Sequence, residues 1–130
     1  MANEAVCIET PTRFARYTVA DGGAIAIGTL LKVSDPNTAA ATAADNDMFA
    51  GIAWEEKTAS DGIVEITAAL NGVWDIKDAG AGITAGEKVS VGGVNIVSKV
   101  AAADLLFQGV GVALEDAAGA EVIRVRVNAG

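Results

Sequence analysis

Alternation of apolar and polar residues is the feature that most limits what this chain can fold into. In Val64-Glu65-Ile66-Thr67-Ala68 and in Ile123-Arg124-Val125-Arg126-Val127, every second side chain is apolar. Successive side chains of a β-strand point to opposite faces, so the pattern predicts half-buried strands over 63–70 and 121–127. Similar reasoning predicts strands over 4–9, 14–20, 29–34, 49–56, 87–91, 94–99 and 107–114.

Glycine-containing pairs separate these predicted strands. Asp21-Gly22, Asp61-Gly62, Asn71-Gly72 and Gly92-Gly93 are typical of tight hairpin turns, because they tolerate positive φ. The Ala-rich segment 38–44 has no helical periodicity and is predicted to be a surface loop. A second Ala-rich segment, 101–106, has room for one helical turn. The chain is therefore expected to be all-β, a compact barrel of short strands.

Two parts of the chain resemble each other at an offset of 58 residues. Ile25-x-x-Gly28-x-x-Leu31-x-Val33 matches Ile83-x-x-Gly86-x-x-Val89-x-Val91, and Phe49-x-Gly51-Ile52 matches Phe107-x-Gly109-Val110. The matches predict a pseudo-repeat of two β-units, about 25–70 and 83–127, inside a single β domain over 13–130. Two copies of this length are too few for a solenoid.

Composition excludes several kinds of site. The 130 residues include no histidine, which removes Ser–His and Cys–His nucleophilic sites and most zinc sites. Glu55 and Glu56 are neighbours on a predicted strand, so they point to opposite faces and do not flank one bond. Asp45-Asn46-Asp47 lacks the glycine of a calcium loop, and Gly80–Gly86 departs from nucleotide-binding spacings. We expect no catalytic residue, no cofactor and no metal.

Charge limits the partners. Nine Lys and Arg residues against 17 Asp and Glu residues give a net charge of −8, which repels nucleic acid and anionic membranes. The sequence has no run of 18 apolar residues, so we expect no membrane-spanning helix. The first residues do not resemble a signal peptide. Cys7 is the only cysteine, so we expect a small apolar side chain without a disulfide, compatible with a reducing cytoplasm.

Trp54 and Trp74 are the two tryptophans of a chain in which aromatic residues make up 5%. Two interpretations are open. Large aromatic side chains anchor packing or a subunit contact, which is the commoner role. They also stack on sugars, and that role makes the chain a small carbohydrate-binding or adhesin-like β domain. A third class, an enzyme of β-clip type, is disfavoured by the missing histidine and by the lack of a convergent polar cluster.

Several segments together resemble one known family. They are Ile8-Glu9-Thr10-Pro11-Thr12-Arg13-Phe14, Asp21-Gly22-Gly23, Ile27-Gly28-Thr29-Leu30-Leu31-Lys32, Phe49-Ala50-Gly51-Ile52-Ala53-Trp54-Glu55, Ile83-Thr84-Ala85-Gly86-Glu87-Lys88-Val89 and Glu121-Val122-Ile123-Arg124-Val125. With them, the chain resembles the capsid cement or head decoration proteins of tailed bacteriophages, of the lambda type. The resemblance runs through nearly the whole chain and rests on structural residues, glycines and apolar alternation.

That resemblance implies a β-tulip or barrel that binds the major capsid protein on the outer surface of the expanded capsid. It implies a homotrimer, assembly in the host cytoplasm, a place in the virion and no catalytic set. Residues 1–12 are then an N-terminal arm or edge strand, which pairs either with the capsid or with its own sheet. The expected capsid-binding residues are Glu4, Val6, Ile8, Glu9, Pro11 and Arg13, and the expected subunit contacts are Trp54 and Trp74.

Overall fold

A computed structural model describes residues 3–45, 47–100 and 109–129, and within these ranges the predicted all-β class is confirmed. Eleven short strands and no helix are found there. In chain order the strands are β1 (Val6–Glu9), β2 (Phe14–Thr18), β3 (Leu30–Asp35), β4 (Thr38–Ala41), β5 (Phe49–Ala53), β6 (Glu65–Ala69), β7 (Asn71–Asp78), β8 (Lys88–Gly93), β9 (Ile96–Lys99), β10 (Gly109–Ala113) and β11 (Val122–Asn128).

The strands form two small closed barrels with the same connectivity. The first barrel has the order β2-β4-β3-β5-β6, and the second has the order β7-β9-β8-β10-β11. In the first barrel β2 pairs antiparallel with β6 and parallel with β4. In the second barrel β7 likewise pairs antiparallel with β11 and parallel with β9. Closure leaves neither barrel with an unpaired edge, which short strands in an open sheet would otherwise expose.

The 58-residue correspondence between 25–33 and 83–91 is visible in the backbone. Ile25 bridges to Lys57 and Ile83 bridges to Ala117, while Gly28 and Gly86 both have φ of +92°. The second match, of Gly51 with Gly109, is wrong by two residues. Leu31 pairs with Gly51 and Val89 pairs with Gly111, so the offset in β5 and β10 is 60. Phe107 lies outside the described residues.

Three predictions of local structure were wrong. Gly92-Gly93 is the end of β8 and not a hairpin turn, since Gly93 pairs with Ile96 and the turn itself is Val94-Asn95, with Asn95 at φ of +57°. Asn71-Gly72 is the beginning of β7 and not a hairpin turn, because β6 and β7 belong to different barrels and the chain passes directly between them. The segment Thr38–Ala41 is strand β4 and not a loop. Its small side chains fit between β2 and β3, and Ala39 is buried. The predicted helical turn over 101–106 lies outside the part of the chain that the structure describes.

The core of the second barrel continues into the first. Leu30, Phe49, Ile52 and Ala69 of the first barrel belong to the same buried apolar cluster as Trp74 and its neighbours. A buried amide reinforces this junction. Asn95, in the β8–β9 turn, accepts a hydrogen bond from the Leu30 backbone N–H at 2.9 Å and donates its own N–H to Thr42 Oγ1 at 3.2 Å. Polar pairing of this kind fixes how one barrel sits on the other.

Candidate interaction surfaces

The N-terminal segment lies on both barrels. Strand β1 pairs antiparallel with β7, with Val6 opposite Asp75 and Cys7 opposite Trp74. Just before β1, Ala5 is buried and donates its backbone N–H to the Gly28 carbonyl of the first barrel at 2.8 Å. In this structure the segment therefore pairs with the protein's own sheet, which is one of the two alternatives that the sequence left open.

The outward side of β1 is apolar. Val6 is 60% exposed and Ile8 is 40% exposed. Cys7 between them faces the core, where burial raises the pKa of its thiol. Ile8 is the extra residue of a β-bulge, since Cys7 opposes Trp74 and Glu9 opposes Val73. Within the described residues β1 ends its sheet, so its second edge has no strand partner. We call β1 with these side chains the β1 edge.

The other expected capsid-binding residues are distributed differently. Glu9 and Arg13 are exposed, Glu4 is half-buried, and Pro11 is buried. The turn that contains Pro11 is held by Asn71, whose Oδ1 accepts the backbone N–H groups of Thr12 at 2.8 Å and Arg13 at 3.1 Å. Pro11 therefore shapes the passage from β1 to β2, whereas Glu9 and Arg13 are accessible to a partner.

Aromatic side chains form a second surface near the junction of the barrels. The rings of Phe14 and Trp54 lie 5.5 Å apart, and Trp54 meets Trp74 edge to face at 6.0 Å. Trp54 is 36% exposed and Phe14 is 44% exposed. Trp74, in contrast, is 1% exposed and donates its indole N–H to the Asn71 carbonyl at 3.1 Å. Of the two tryptophans, Trp54 reaches the surface, while Trp74 is part of the core.

Charged groups border the aromatic pair. Arg16 Nη1 donates to Thr67 Oγ1 at 2.9 Å, and the Arg16 guanidinium lies 3.5 Å from the carboxylates of Glu55 and Glu65. Glu55 also accepts the Thr67 backbone N–H at 2.7 Å. That bond, helped by the Thr67 hydroxyl and by Arg16, lowers the pKa of Glu55. We call Phe14, Trp54, Arg16 and Thr67, which line one shallow depression, the Phe14–Trp54 surface.

A buried lysine closes one end of the first barrel. The Lys57 side chain is fully buried, and four oxygens lie within hydrogen-bond distance of the three N–H groups of its Nζ. These are the Asp21 carbonyl at 2.8 Å, Asp21 Oδ1 at 3.2 Å, the Thr58 carbonyl at 3.1 Å and Asp61 Oδ1 at 2.9 Å. Burial favours a lower pKa for Lys57, but the hydrogen bonds and charges of Asp61 and Asp21 outweigh it, so the pKa is raised.

Sequence reasoning missed this ion pair. Lys57 directly follows Glu55 and Glu56, and a lysine in so charged a segment carries no sign of burial. The Asp21-Gly22 and Asp61-Gly62 pairs carried a signal for turns, but nothing in the sequence showed that the two turns meet at one lysine. Within the described ranges no three His, Cys, Asp or Glu side chains group as metal ligands, and no helix is long and apolar enough to cross a membrane.

The fold resembles that of a solved phage protein. The N base of the head fiber gp8.5 of bacteriophage phi29 matches with a TM-score of 0.56 and 16% sequence identity, over 91% of this chain and 97% of that one. At this level of identity the likeness is one of fold. No family model and no curated protein matches the sequence.

Proposed function

We propose that this protein is a structural component of a phage head, which binds the outer surface of the expanded capsid as a trimer and stabilises it. The observation that carries the proposal is the shared fold with a head-fiber base over nearly the full length of both chains. The resemblance of the sequence to capsid cement proteins supports the same class.

The β1 edge is the proposed contact with the major capsid protein. An unpaired strand edge accepts an added strand through backbone hydrogen bonds, and alternate side chains select the partner. Val6 and Ile8 supply apolar area beside that edge, and the exposed Glu9 and Arg13 lie next to it. The contact is made by β1 as it stands in its own sheet, so docking needs no release of the segment.

The Phe14–Trp54 surface is the proposed contact between subunits of the trimer. Exposed aromatic rings beside an arginine are typical of the residues that dominate protein interfaces. Three copies that dock together gain avidity, and a protein that binds only the expanded lattice shifts the shell toward that state. With no histidine in the chain, we propose no catalytic activity, and with a net charge of −8 we propose neither nucleic acid nor membrane as a partner.

Binding to heads tests the proposal. The full chain is sedimented with expanded heads and with compact proheads of its own virus, and we expect saturable binding to the expanded form alone. Val6→Asp places a charge on the β1 edge and is expected to weaken binding about tenfold or more. Val33→Asp is the matched control, since Val33 is an exposed strand valine of the first barrel. Absence of binding to expanded heads, or equal loss in both variants, would contradict the proposed contact.

A carbohydrate-binding domain is the second candidate. The observation that favours it is the exposed Trp54 and Phe14 rings with the polar Arg16 and Thr67 beside them, an arrangement that suits the face of a sugar ring. A glycan array with tryptophan fluorescence separates the candidates. Quenching of fluorescence by a sugar, lost in Trp54→Ala, would support this function, and Trp74 is too deeply buried to act as a second platform.

A further inference from the structure

The corresponding ends of the two barrels bury charged side chains of opposite sign, Lys57 in the first barrel and Asp78 in the second. In the first barrel the bridge from Ile25 leads to the buried ammonium group of Lys57, and in the second barrel the same bridge from Ile83 leads to Ala117. The backbone N–H groups of Val19 and Asp78 make the same cross-strand hydrogen bond, to Val64 at 2.9 Å and to Glu121 at 2.8 Å. Asp78 therefore has the position in the second barrel that the buried Val19 has in the first.

Asp78 is held in a position that a carboxylate rarely occupies. It is 1% exposed, its Oδ2 accepts the Gly82 backbone N–H at 3.3 Å, and its Oδ1 is enclosed without a hydrogen-bond partner among the described residues. No lysine or arginine there forms an ion pair with it. A buried carboxylate is strongly destabilising unless hydrogen bonds or a cation compensate it.

Backbone carbonyls border the same end of the second barrel. A Cβ atom on Gly82 would lie 3.5 Å from the Ala117 carbonyl oxygen and 4.0 Å from that of Ala118. A Cβ atom on Gly119 would lie 3.0 Å from the Gly80 carbonyl oxygen. Ala118 follows the bridge residue Ala117 as Thr58 follows the bridge residue Lys57, so Ala118 corresponds to Thr58. Gly80 lies two residues after Asp78 as Asp21 lies two residues after Val19, so Gly80 corresponds to Asp21. Thr58 and Asp21 give their carbonyls to the Lys57 ammonium.

We propose that the second barrel binds a hard cation of the calcium class at this end, through Asp78 and neighbouring backbone carbonyls. The cation occupies the place that the Lys57 ammonium has in the first barrel. Carboxylate and carbonyl oxygens are the ligands that Ca²⁺ prefers, and its flexible geometry suits carbonyls from two loops better than the strict octahedron of Mg²⁺. With one carboxylate, affinity in the range of weak extracellular sites is expected, about 10⁻⁴ to 10⁻³ M.

Calorimetric titration and thermal unfolding of the full chain test the site. After chelator treatment, we expect one Ca²⁺ bound per chain. We also expect a rise in the unfolding midpoint of roughly 5 °C at ten times the Kd. NaCl and MgCl₂ at matched ionic strength are needed as controls, because any salt screens a net charge of −8. A rise that is equal in all three salts, or a binding stoichiometry of zero, would overturn the proposal.

Two substitutions locate the cation. Asp78→Asn is expected to abolish the calcium-dependent rise, whereas Asp35→Asn, at an exposed aspartate of the first barrel, is expected to retain it. Ala117→Lys places a tethered ammonium where Lys57 stands in the first barrel, and we expect this variant to fold without calcium and to bind none. If Asp78→Asn does not fold, Ala117→Lys decides the question alone. Calcium binding that persists in Ala117→Lys would overturn the proposed position.

Discussion

At the scale of single residues, Asn71 shows how one side chain directs the chain through the junction of the barrels. Its Oδ1 accepts two backbone N–H groups and its Nδ2 donates to Thr12 Oγ1 at 2.9 Å. Asn71→Ala is expected to lower the free energy of unfolding by about 1 kcal/mol, because water partly replaces these bonds. Asn71→Asp keeps the acceptor and is expected to lose less in a urea titration. Equal loss in both variants would contradict the role of Oδ1.

The ion pair between Lys57 and Asp61 makes the stability of the protein depend on pH in acid. Backbone N–H of Ile63 and the Lys57 ammonium lower the pKa of Asp61 in the folded state. A lowered folded pKa stabilises the protein above the unfolded value, about 3.9, and this stabilisation is lost as pH falls through the folded value. Asp61→Asn is therefore expected to flatten the dependence of the unfolding midpoint on pH below about pH 4. Asp35→Asn is the control, and an unchanged slope in Asp61→Asn would contradict the assignment.

At the scale of elements, substitution of two glycines tests how firmly the N-terminal segment is docked. Gly28 and Gly86 share φ of +92°, but a Cβ on Gly28 would overlap the Ala5 carbonyl oxygen, whereas a Cβ on Gly86 meets nothing within 4 Å. Gly86→Ala is expected to cost the backbone strain alone, about 1–2 kcal/mol. Gly28→Ala is expected to cost more and to release β1, visible as faster amide exchange over residues 5–9. Equal exchange in both variants would contradict the docking of this segment.

Elements also show what a sequence pattern can and cannot predict. Strands with strict alternation, such as β6 and β11, were predicted to within two residues, because the period-two pattern is a local property. Strand β7 was missed because Asn71-Gly72 has the composition of a turn, and only the packing of the second barrel extends it. Strand β4 was missed because alanines carry little strand signal, although small side chains are what its position requires.

In the candidate surfaces, too, local features could be predicted from the sequence and features that depend on distant contacts could not. Exposed Val6 and Ile8 agree with an edge strand, but the burial of Pro11 and Trp74 depends on contacts with Asn71 and the second barrel, which are far away in sequence. Lys57 joins Asp21 and Asp61, which are about 40 residues apart in the sequence. The role proposed for the Asp78 carboxylate depends on comparing its position with that of Val19 in the first barrel. Long-range pairing of this kind leaves no periodic pattern in a single sequence.

At the scale of the whole molecule, the shared core predicts that the barrels unfold together. Leu30 and Phe49 of the first barrel pack in the cluster of the second, and the Asn95 amide joins Leu30 to the β8–β9 turn. We expect one calorimetric transition whose van't Hoff and calorimetric enthalpies agree. Asn95 has φ of +57°, so Asn95→Gly keeps the turn and removes the inter-barrel bond from the side chain.

The Asn95→Gly variant makes the cooperativity testable. The loss of Asn95 Oδ1 leaves the Leu30 N–H unpaired in the core, which is expected to lower stability by about 1–3 kcal/mol. If the barrels are one cooperative unit, this substitution moves a single midpoint, which is the same when unfolding is followed by tryptophan fluorescence and by circular dichroism. Asn37→Gly is the matched control, since Asn37 has φ of +52° in the equivalent exposed turn of the first barrel. Two transitions in the wild-type chain would show that the inter-barrel contacts are too weak to couple the barrels.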